Sequence, residues 1–118
     1  MDYTEFGFVR AAAVAPVVSL ADPGANARTH IEHLRGLESE GVCLALFPEL
    51  SVTGYSCEDL FFNRDLLNAS REALARIAEA CTALTAVVGV PWQLDDGRLL
   101  NCAAVLAHGR LIGLVPKI

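Results

Sequence analysis

Two oppositely charged residues follow apolar segments at widely separated points of the chain. Glu49 comes directly after Phe47-Pro48, and Lys117 comes directly after Val115-Pro116. A carboxylate can accept a proton from a reacting group, and an ammonium can stabilise negative charge that develops on an oxygen. A single charged residue after a strand is more simply interpreted as a solvated loop charge. Whether this acid and this amine form a site therefore depends on whether the fold brings them together.

The segments that must position these residues alternate between strand and helix patterns. Residues 8–14 form a short apolar run with β-branched members, which predicts a first strand buried on both faces. Asp22 can cap a helix whose first position is Pro23, and apolar residues then recur at helical spacing until Gly41. Residues 42–47 predict a second strand. Strand, helix and strand in this order predict a parallel crossover.

The second half of the chain continues the alternation. Residues 48–55 lose all periodicity and predict a loop at the carboxyl end of the second strand, where open α/β sheets usually bind ligands. Ser56 and Asp59 match a capping box. The remaining predicted elements are a long helix from Leu67, a strand over residues 86–90, and a hairpin that pairs residues 99–107 with 111–115 across His108-Gly109. The predicted order is β-α-β-α-β-β-β in an α/β fold.

Composition limits the class of protein. The 118 residues are 53% hydrophobic and 19% charged, which excludes disorder and coiled coil and predicts one domain or a piece of one. The formal net charge is −5 and no basic cluster is present, so we expect neither nucleic acid nor a membrane surface as a partner. Small molecules and other protein chains are the expected partners. Because the strands are apolar and only two long helices are predicted, we expect the core of this chain to be incomplete.

The sequence favours a cytoplasmic location. The apolar stretch at residues 11–20 includes Pro16 and is shorter than the roughly 20 residues that cross a bilayer. Asp2 and Glu5 precede this stretch, whereas a secretory signal begins with positive charge. The four cysteines include no Cys-x-x-Cys pair, so reduced thiols are expected rather than a zinc site or a redox motif.

Two motifs resemble a known family. Residues 47–55, Phe-Pro-Glu-Leu-Ser-Val-Thr-Gly-Tyr, and the later Val115-Pro116-Lys117 resemble the nitrilase (carbon-nitrogen hydrolase) superfamily, whose members use a Glu-Lys-Cys triad. The likeness extends over most of the chain, including Asn101. Within the superfamily, residues 54–60 and 7–10 look most like the N-terminal glutaminase domains of glutamine-dependent NAD synthetases. The resemblance implies that residues 1–118 are the N-terminal part of a nitrilase-like α-β-β-α sandwich, an incomplete carbon-nitrogen hydrolase domain without its synthetase domain.

The resemblance also implies roles for individual residues. Glu49 would be the general base, Lys117 would stabilise the oxyanion, and Tyr55 would line the glutamine pocket. The ammonia released from glutamine would amidate deamido-NAD in a C-terminal synthetase domain, whose ATP and Mg²⁺ sites lie outside this sequence. The implied partners are glutamine, that synthetase domain and further copies of the chain in a homo-oligomer.

The third member of the triad has no match. In the family the nucleophilic cysteine follows the position that corresponds to Lys117, and none of the four cysteines corresponds to it, so we expect the chain as given to be inactive. Cys57, at the start of the predicted capping turn, is the only cysteine in a loop. It lacks a family counterpart as a nucleophile.

Other interpretations remain open at this point. The chain could belong to a stand-alone carbon-nitrogen hydrolase acting on another amide, or it could be a non-catalytic α/β interaction module. His30 and His33 lie one turn apart on the first helix but have no third ligand, so we predict exposed helix residues and no metal site. Glu58 and Asp59 could bind a cation, but helix capping explains Asp59 and is the preferred interpretation.

Overall fold

The structure, a computed structural model, describes residues 3–118. Its elements are β1 (Ala11–Ala13), α1 (Pro23–Ser39), β2 (Leu44–Leu46), α2 (Arg64–Glu79), β3 (Thr85–Gln93), β4 (Leu99–Ala107) and β5 (Arg110–Pro116), with short 3-10 helices at Tyr3–Phe6 and Glu58–Phe62. The five strands form one sheet in the order β1-β2-β3-β4-β5. The predicted α/β order is confirmed. Over this described range, no helix is both long and apolar enough to cross a membrane.

Helix α1 begins and ends as its sequence predicts. The Asp22 side chain accepts a hydrogen bond from the backbone N–H of Ala25 at 3.1 Å, which satisfies one of the free donors of the first turn. Pro23 occupies the first helical position. After the helix ends, Gly41 has a φ of +78°, a conformation that glycine adopts without steric cost.

The predicted capping box at Ser56 and Asp59 is wrong. The 3-10 helix there begins at Glu58, and its capping residue Cys57 makes no side-chain capping bond. Glu58 itself has a φ of +53°, so the backbone cannot run as one helical turn through this point. The cap that does form is Asn63, whose side chain accepts from the N–H of Leu66 at 3.1 Å and starts α2 before the predicted Leu67.

Strand pairing places β2 and β5 in the same direction. β1, β2 and β3 are mutually parallel, whereas β4 is antiparallel to both β3 and β5. The β4–β5 turn is the predicted one: His108 and Gly109 both have positive φ, 55° and 74°, as in the two-residue turns that match strand twist. The carboxyl ends of β2 and β5 therefore lie along the same edge of the sheet.

The two helices pack on one face of the sheet and form the core with it. The apolar residues of this core that are buried on the helices and strands include Ala27, Leu34, Ala45, Leu74, Ile77, Ala86, Val88, Val90, Cys102, Ala104 and Leu106. Each large aliphatic side chain buried here contributes roughly 1.5–3 kcal/mol to folding. The core thus lies on one side of a single sheet.

The other face of the sheet is open, and this overturns the prediction that the first strand is buried on both faces. Ala11 and Ala13 are exposed, and only residues 11–13 of the predicted 8–14 form a strand. In β2, Leu44 and Leu46 are 40% and 51% exposed on either side of the buried Ala45. Successive strand residues point to opposite faces, and helices cover only one of them.

Candidate active site

The carboxyl ends of β2 and β5 bring Glu49 and Lys117 together. Glu49 lies three residues beyond the end of β2, and Lys117 is the first residue after β5. The two strands are separated in the sheet by β3 and β4, yet Lys117 Nζ donates to Glu49 Oε1 at 2.8 Å. The acid and the amine are 68 positions apart in the sequence and form an ion pair in the fold.

Asn101 is the third member of this polar cluster. It lies in β4, and its Nδ2 donates to Glu49 Oε1 at 2.6 Å. Its backbone carbonyl accepts a hydrogen bond from the N–H of Lys117 at 2.8 Å, which ties the end of β5 to the same point. Asn101 belongs to the part of the chain that resembles the family, but the resemblance assigns it no function. The available signal was a carboxamide within the otherwise apolar Leu99–Ala107 strand.

The cluster holds Glu49 in its ionised form. The hydrogen bond from Lys117 and then that from Asn101 lower the pKa of the Glu49 carboxyl below its ordinary value, and desolvation, a smaller effect than either bond, opposes them. The same bond raises the pKa of Lys117. The two side chains are 38% and 65% exposed, so the ion pair is accessible from solvent. At neutral pH the site presents a carboxylate that can accept a proton and an ammonium beside it.

Two cavities meet at Asn101. One, of about 440 Å³, has Glu49, Asn101 and Lys117 as its polar residues and is otherwise mainly apolar, with Val87 and Val115 in its wall. The second, of about 490 Å³, is lined by residues that include Tyr55 and Phe61 as well as Asn101. Tyr55 is 68% exposed and is placed beside the cluster rather than within it.

His30 contradicts the sequence prediction of an exposed helix residue. Its side chain is fully buried, with Nδ1 at 2.6 Å from the Asn26 carbonyl oxygen and Nε2 at 2.8 Å from Ser51 Oγ. Its ring also stacks on Phe47, with centroids 4.4 Å apart. His33 is exposed, as predicted. The missed signal was helical spacing, since His30 lies three residues after Ala27 and four before Leu34, both in the core.

Three of the four cysteines are buried and Cys43 is exposed; the buried Cys102 follows Asn101 in β4 and also lines the cavity of about 440 Å³. Burial raises the pKa of Cys81 to about 11 and also raises that of Cys102. Cys57 is buried, and its thiol donates to the Thr53 carbonyl oxygen at 3.4 Å. Cys43 is exposed but precedes β2, at the end of that strand opposite to Glu49. In residues 3–118 no group of three His, Cys, Asp or Glu side chains converges to hold a metal ion.

Comparison with known proteins identifies the class. A family model described as carbon-nitrogen hydrolase matches residues 10–117, a range that includes Glu49, Asn101 and Lys117. The chain belongs to this family. An amidase from Nesterenkonia shares its fold, with a TM-score of 0.77 at 22% identity over 93% of this chain and 43% of the amidase. The α/β fold is therefore the nitrilase-like one expected from the sequence.

The relatives with higher sequence identity belong to one kind of protein. The glutamine-dependent NAD(+) synthetase of Mycobacterium tuberculosis strain H37Rv is 37% identical over 115 residues, which are 96% of this chain and 17% of that protein. The structure of the glutamine-dependent NAD(+) synthetase from Cytophaga hutchinsonii superposes with a TM-score of 0.87 at 28% identity, over 92% of this chain and 19% of that one. The chain is homologous to the N-terminal domain of glutamine-dependent NAD synthetase and spans about a sixth of the length of these relatives.

Proposed function

We propose that this chain is the glutaminase part of a glutamine-dependent NAD synthetase, which hydrolyses the side-chain amide of glutamine and passes on ammonia for the amidation of deamido-NAD. The single observation that carries the proposal is the Glu49 carboxylate held by Lys117 and Asn101 at the mouth of a cavity. The homology with NAD synthetases agrees with it.

In the proposed reaction, a cysteine thiol supplied from outside residues 1–118 attacks the amide carbon of glutamine. Glu49 accepts the thiol proton, and the Lys117 ammonium stabilises the oxyanion of the tetrahedral intermediate. The carbon-nitrogen bond then breaks, and Glu49 returns the proton to the leaving nitrogen, so that ammonia departs and a thioester remains. Water attacks the thioester and Glu49 takes a proton from this water. The carbon-sulfur bond then breaks, and Glu49 returns the proton to the sulfur, so that glutamate leaves and the thiol is restored.

The Glu49–Lys117 ion pair suits both proposed roles, proton transfer by the carboxylate and stabilisation of the oxyanion by the ammonium. Glu49 must be ionised to accept a proton at neutral pH, and the direction of its pKa shift favours the ionised form. Lys117 must stay charged to stabilise an oxyanion, and its raised pKa ensures that as well. Tyr55, which lines the adjoining cavity of about 490 Å³, is proposed to contact the bound glutamine.

The remaining parts of the proposal concern the whole protein. The burial of Cys57, Cys81 and Cys102 and the remote position of Cys43 favour a nucleophile outside this chain, so the chain alone is proposed to be inactive. ATP and Mg²⁺ would act in a synthetase domain, and no step above depends on them. A cytoplasmic location fits four unpaired cysteines. The homo-oligomer stays a prediction.

The test replaces Glu49 by Gln in the full-length protein. Glu49→Gln should lower glutamine-driven NAD formation by about 10²–10⁴-fold, the usual contribution of a general base, and leave ammonia-driven formation unchanged. Glu32→Gln, on the exposed surface of α1, is the matched control and should change neither rate. Loss of both activities, or of neither, contradicts the role of Glu49. Glutamine hydrolysis without any NAD formation would instead indicate a stand-alone hydrolase.

A further inference from the structure

Within the described residues, the hydrogen bonds to the Glu49 side chain are made at its carboxylate, by the donors of Asn101 and Lys117. Glu49 itself is exposed, whereas the backbone of its turn packs against Gly89. The position of its carboxylate therefore depends on how this turn is held. Phe47 and Ser51, two residues before and two residues after Glu49, are both buried, and both contact the same side chain, His30.

His30 contacts the segment on each side of Glu49. Its ring stacks on the ring of Phe47, two residues before Glu49, with an interplanar angle of 29°. Its Nε2 is 2.8 Å from the hydroxyl of Ser51, two residues after Glu49. Because His30 lies on α1, the helix supports the turn from the core side while Lys117 and Asn101 contact the carboxylate itself.

The hydrogen bonds of this network have one consistent direction. The Asn26 carbonyl oxygen can only accept, so His30 Nδ1 carries the proton and donates to it at 2.6 Å. Burial lowers the pKa of His30, and the ring is neutral, which leaves Nε2 as an acceptor. The Ser51 hydroxyl must then donate to Nε2, and its oxygen accepts from the backbone N–H of Gly89 at 3.3 Å. Each donor in this buried series of hydrogen bonds therefore has an acceptor.

The neighbouring Asn26 adds a second set of bonds to the same loop. Its Nδ2 donates to the carbonyl oxygens of Ser19 and Val52 at 2.8 and 2.9 Å, and its Oδ1 accepts from the Ser19 N–H at 2.7 Å. The side chain is 1% exposed. One turn of α1 thus holds the chain at both Ser51 and Val52, directly after the turn that carries Glu49.

We propose that His30 is a positioning residue for Glu49, acting through its stack on Phe47 and through the hydroxyl of Ser51 to hold the turn at which the carboxylate meets Lys117 and Asn101. This inference rests on the proposed function of Glu49 as the general base. His30 does not touch the reacting atoms. Its effect on catalysis is geometric, and displacements of about 1 Å at such sites can cost about 100-fold in rate.

The experiment compares two buried serines in the full-length protein. Ser51→Ala removes the hydroxyl that joins His30 to the turn, whereas Ser70→Ala removes an equally buried hydroxyl on α2 that donates to the Leu66 carbonyl oxygen at 2.8 Å. Ser51→Ala should lower kcat for glutamine hydrolysis by about 10- to 100-fold with little change in KM, and leave ammonia-driven NAD formation unchanged. Ser70→Ala should leave kcat unchanged.

A second experiment measures the pKa of the Glu49 carboxyl directly. Carbon-13 NMR of glutamate-labelled protein, with the Glu49 signal assigned by its loss in Glu49→Gln, gives the pKa of this group. Ser51→Ala and His30→Phe, which keeps an aromatic ring beside Phe47, should both shift the Glu49 pKa upward because the carboxylate leaves its two donors. The acid limb of kcat/KM should move in the same direction.

The outcomes separate the two hypotheses. An unchanged Glu49 pKa and kcat in Ser51→Ala, equal to those of Ser70→Ala, would overturn the positioning role. Glutamine hydrolysis that survives Glu49→Gln would overturn the proposed function, and the NMR titration would still decide whether His30 and Ser51 position the carboxylate.

Discussion

The backbone nitrogen of Leu50 lies against the Cα of Gly89, at a point where β3 has no room for a side chain. A Cβ built on Gly89 would collide with Leu50 N and would lie 2.6 Å from the Pro48 oxygen and 2.7 Å from the Glu49 carbonyl carbon. These are backbone atoms that a change of rotamer cannot move. The turn that carries Glu49 can therefore rest on β3 only because residue 89 is glycine.

Replacement of Gly89 should disrupt this turn. We expect Gly89→Ala to lower the free energy of unfolding by about 1–3 kcal/mol or more, since overpacking against backbone must move the turn, and to abolish glutamine hydrolysis. Gly113→Ala is the matched control, because a Cβ at this strand glycine meets nothing within 4 Å. Urea unfolding of both variants provides the measurement, and equal stabilities would contradict the close approach.

Loss of the Lys117 ammonium should raise the pKa of Glu49. The present pKa is below the ordinary value mainly because Lys117 donates to the carboxylate, so Lys117→Met should move the carboxyl titration upward. The stabilisation from this pair is present at neutral pH and is lost as pH falls through the lowered Glu49 pKa. The control is Arg98→Gln, which breaks the exposed Arg98–Asp96 pair of similar length, 2.9 Å. A Glu49 titration that is the same in both variants would contradict the ion pair.

Burial of His30 should make stability depend on pH. Its folded-state pKa is lowered from 6.5 mainly by desolvation, so the unfolded chain binds the proton more readily and stability falls as pH drops below about 6.5. His30→Phe should be less stable than wild type by about 1–3 kcal/mol at pH 8, because Ser51 loses a partner. That difference should shrink toward pH 5.5.

Urea unfolding of wild type and His30→Phe at pH 8 and at pH 5.5 provides the measurement. The control is Ser70→Ala, which removes a buried hydroxyl on α2 and changes no imidazole. If the His30→Phe difference is constant between these two pH values, His30 is not a buried neutral imidazole.

The cysteines should differ in their reactivity with a thiol reagent. Cys43 is exposed and should be labelled first in the native protein. Cys81 should be the most resistant, because it is buried and its pKa of about 11 leaves almost no thiolate at neutral pH. Mass spectrometry of peptides after brief labelling gives the order, and Cys43→Ser should remove the fast phase. Rapid labelling of Cys57 would contradict its buried position.

Local sequence patterns were sufficient for the order of the elements. The cap at Asp22, the proline after it and the glycine at 41 mark α1 correctly, and the His108-Gly109 turn marks the last hairpin. These signals act between near neighbours in the chain, so they need no tertiary context. The same holds for Glu49 and Lys117, whose placement after apolar strands was visible as a pattern.

Burial could not be predicted in the same way. The residues 8–14 are apolar throughout, but the helices cover only one face of the sheet, so Ala11 and Ala13 remain exposed. The sequence predicts an exposed His30 because the His30 and His33 pair has no third ligand, whereas the structure gives His30 a buried partner, Ser51, that lies 21 residues away. Helical spacing places His30 on the buried face of α1, but it does not reveal the hydrogen-bond partner without which burial of a polar side chain is costly.

Local patterns in the chain are enough to show that strands alternate with helices and that an acid and an amine follow two of the strands. The contact between these two side chains at 2.8 Å, with Asn101 as a shared neighbour and α1 behind the turn, comes from the fold. Strand pairing brings the ends of β2 and β5 to one edge of the sheet, and contacts 68 positions apart exist only once that pairing has formed.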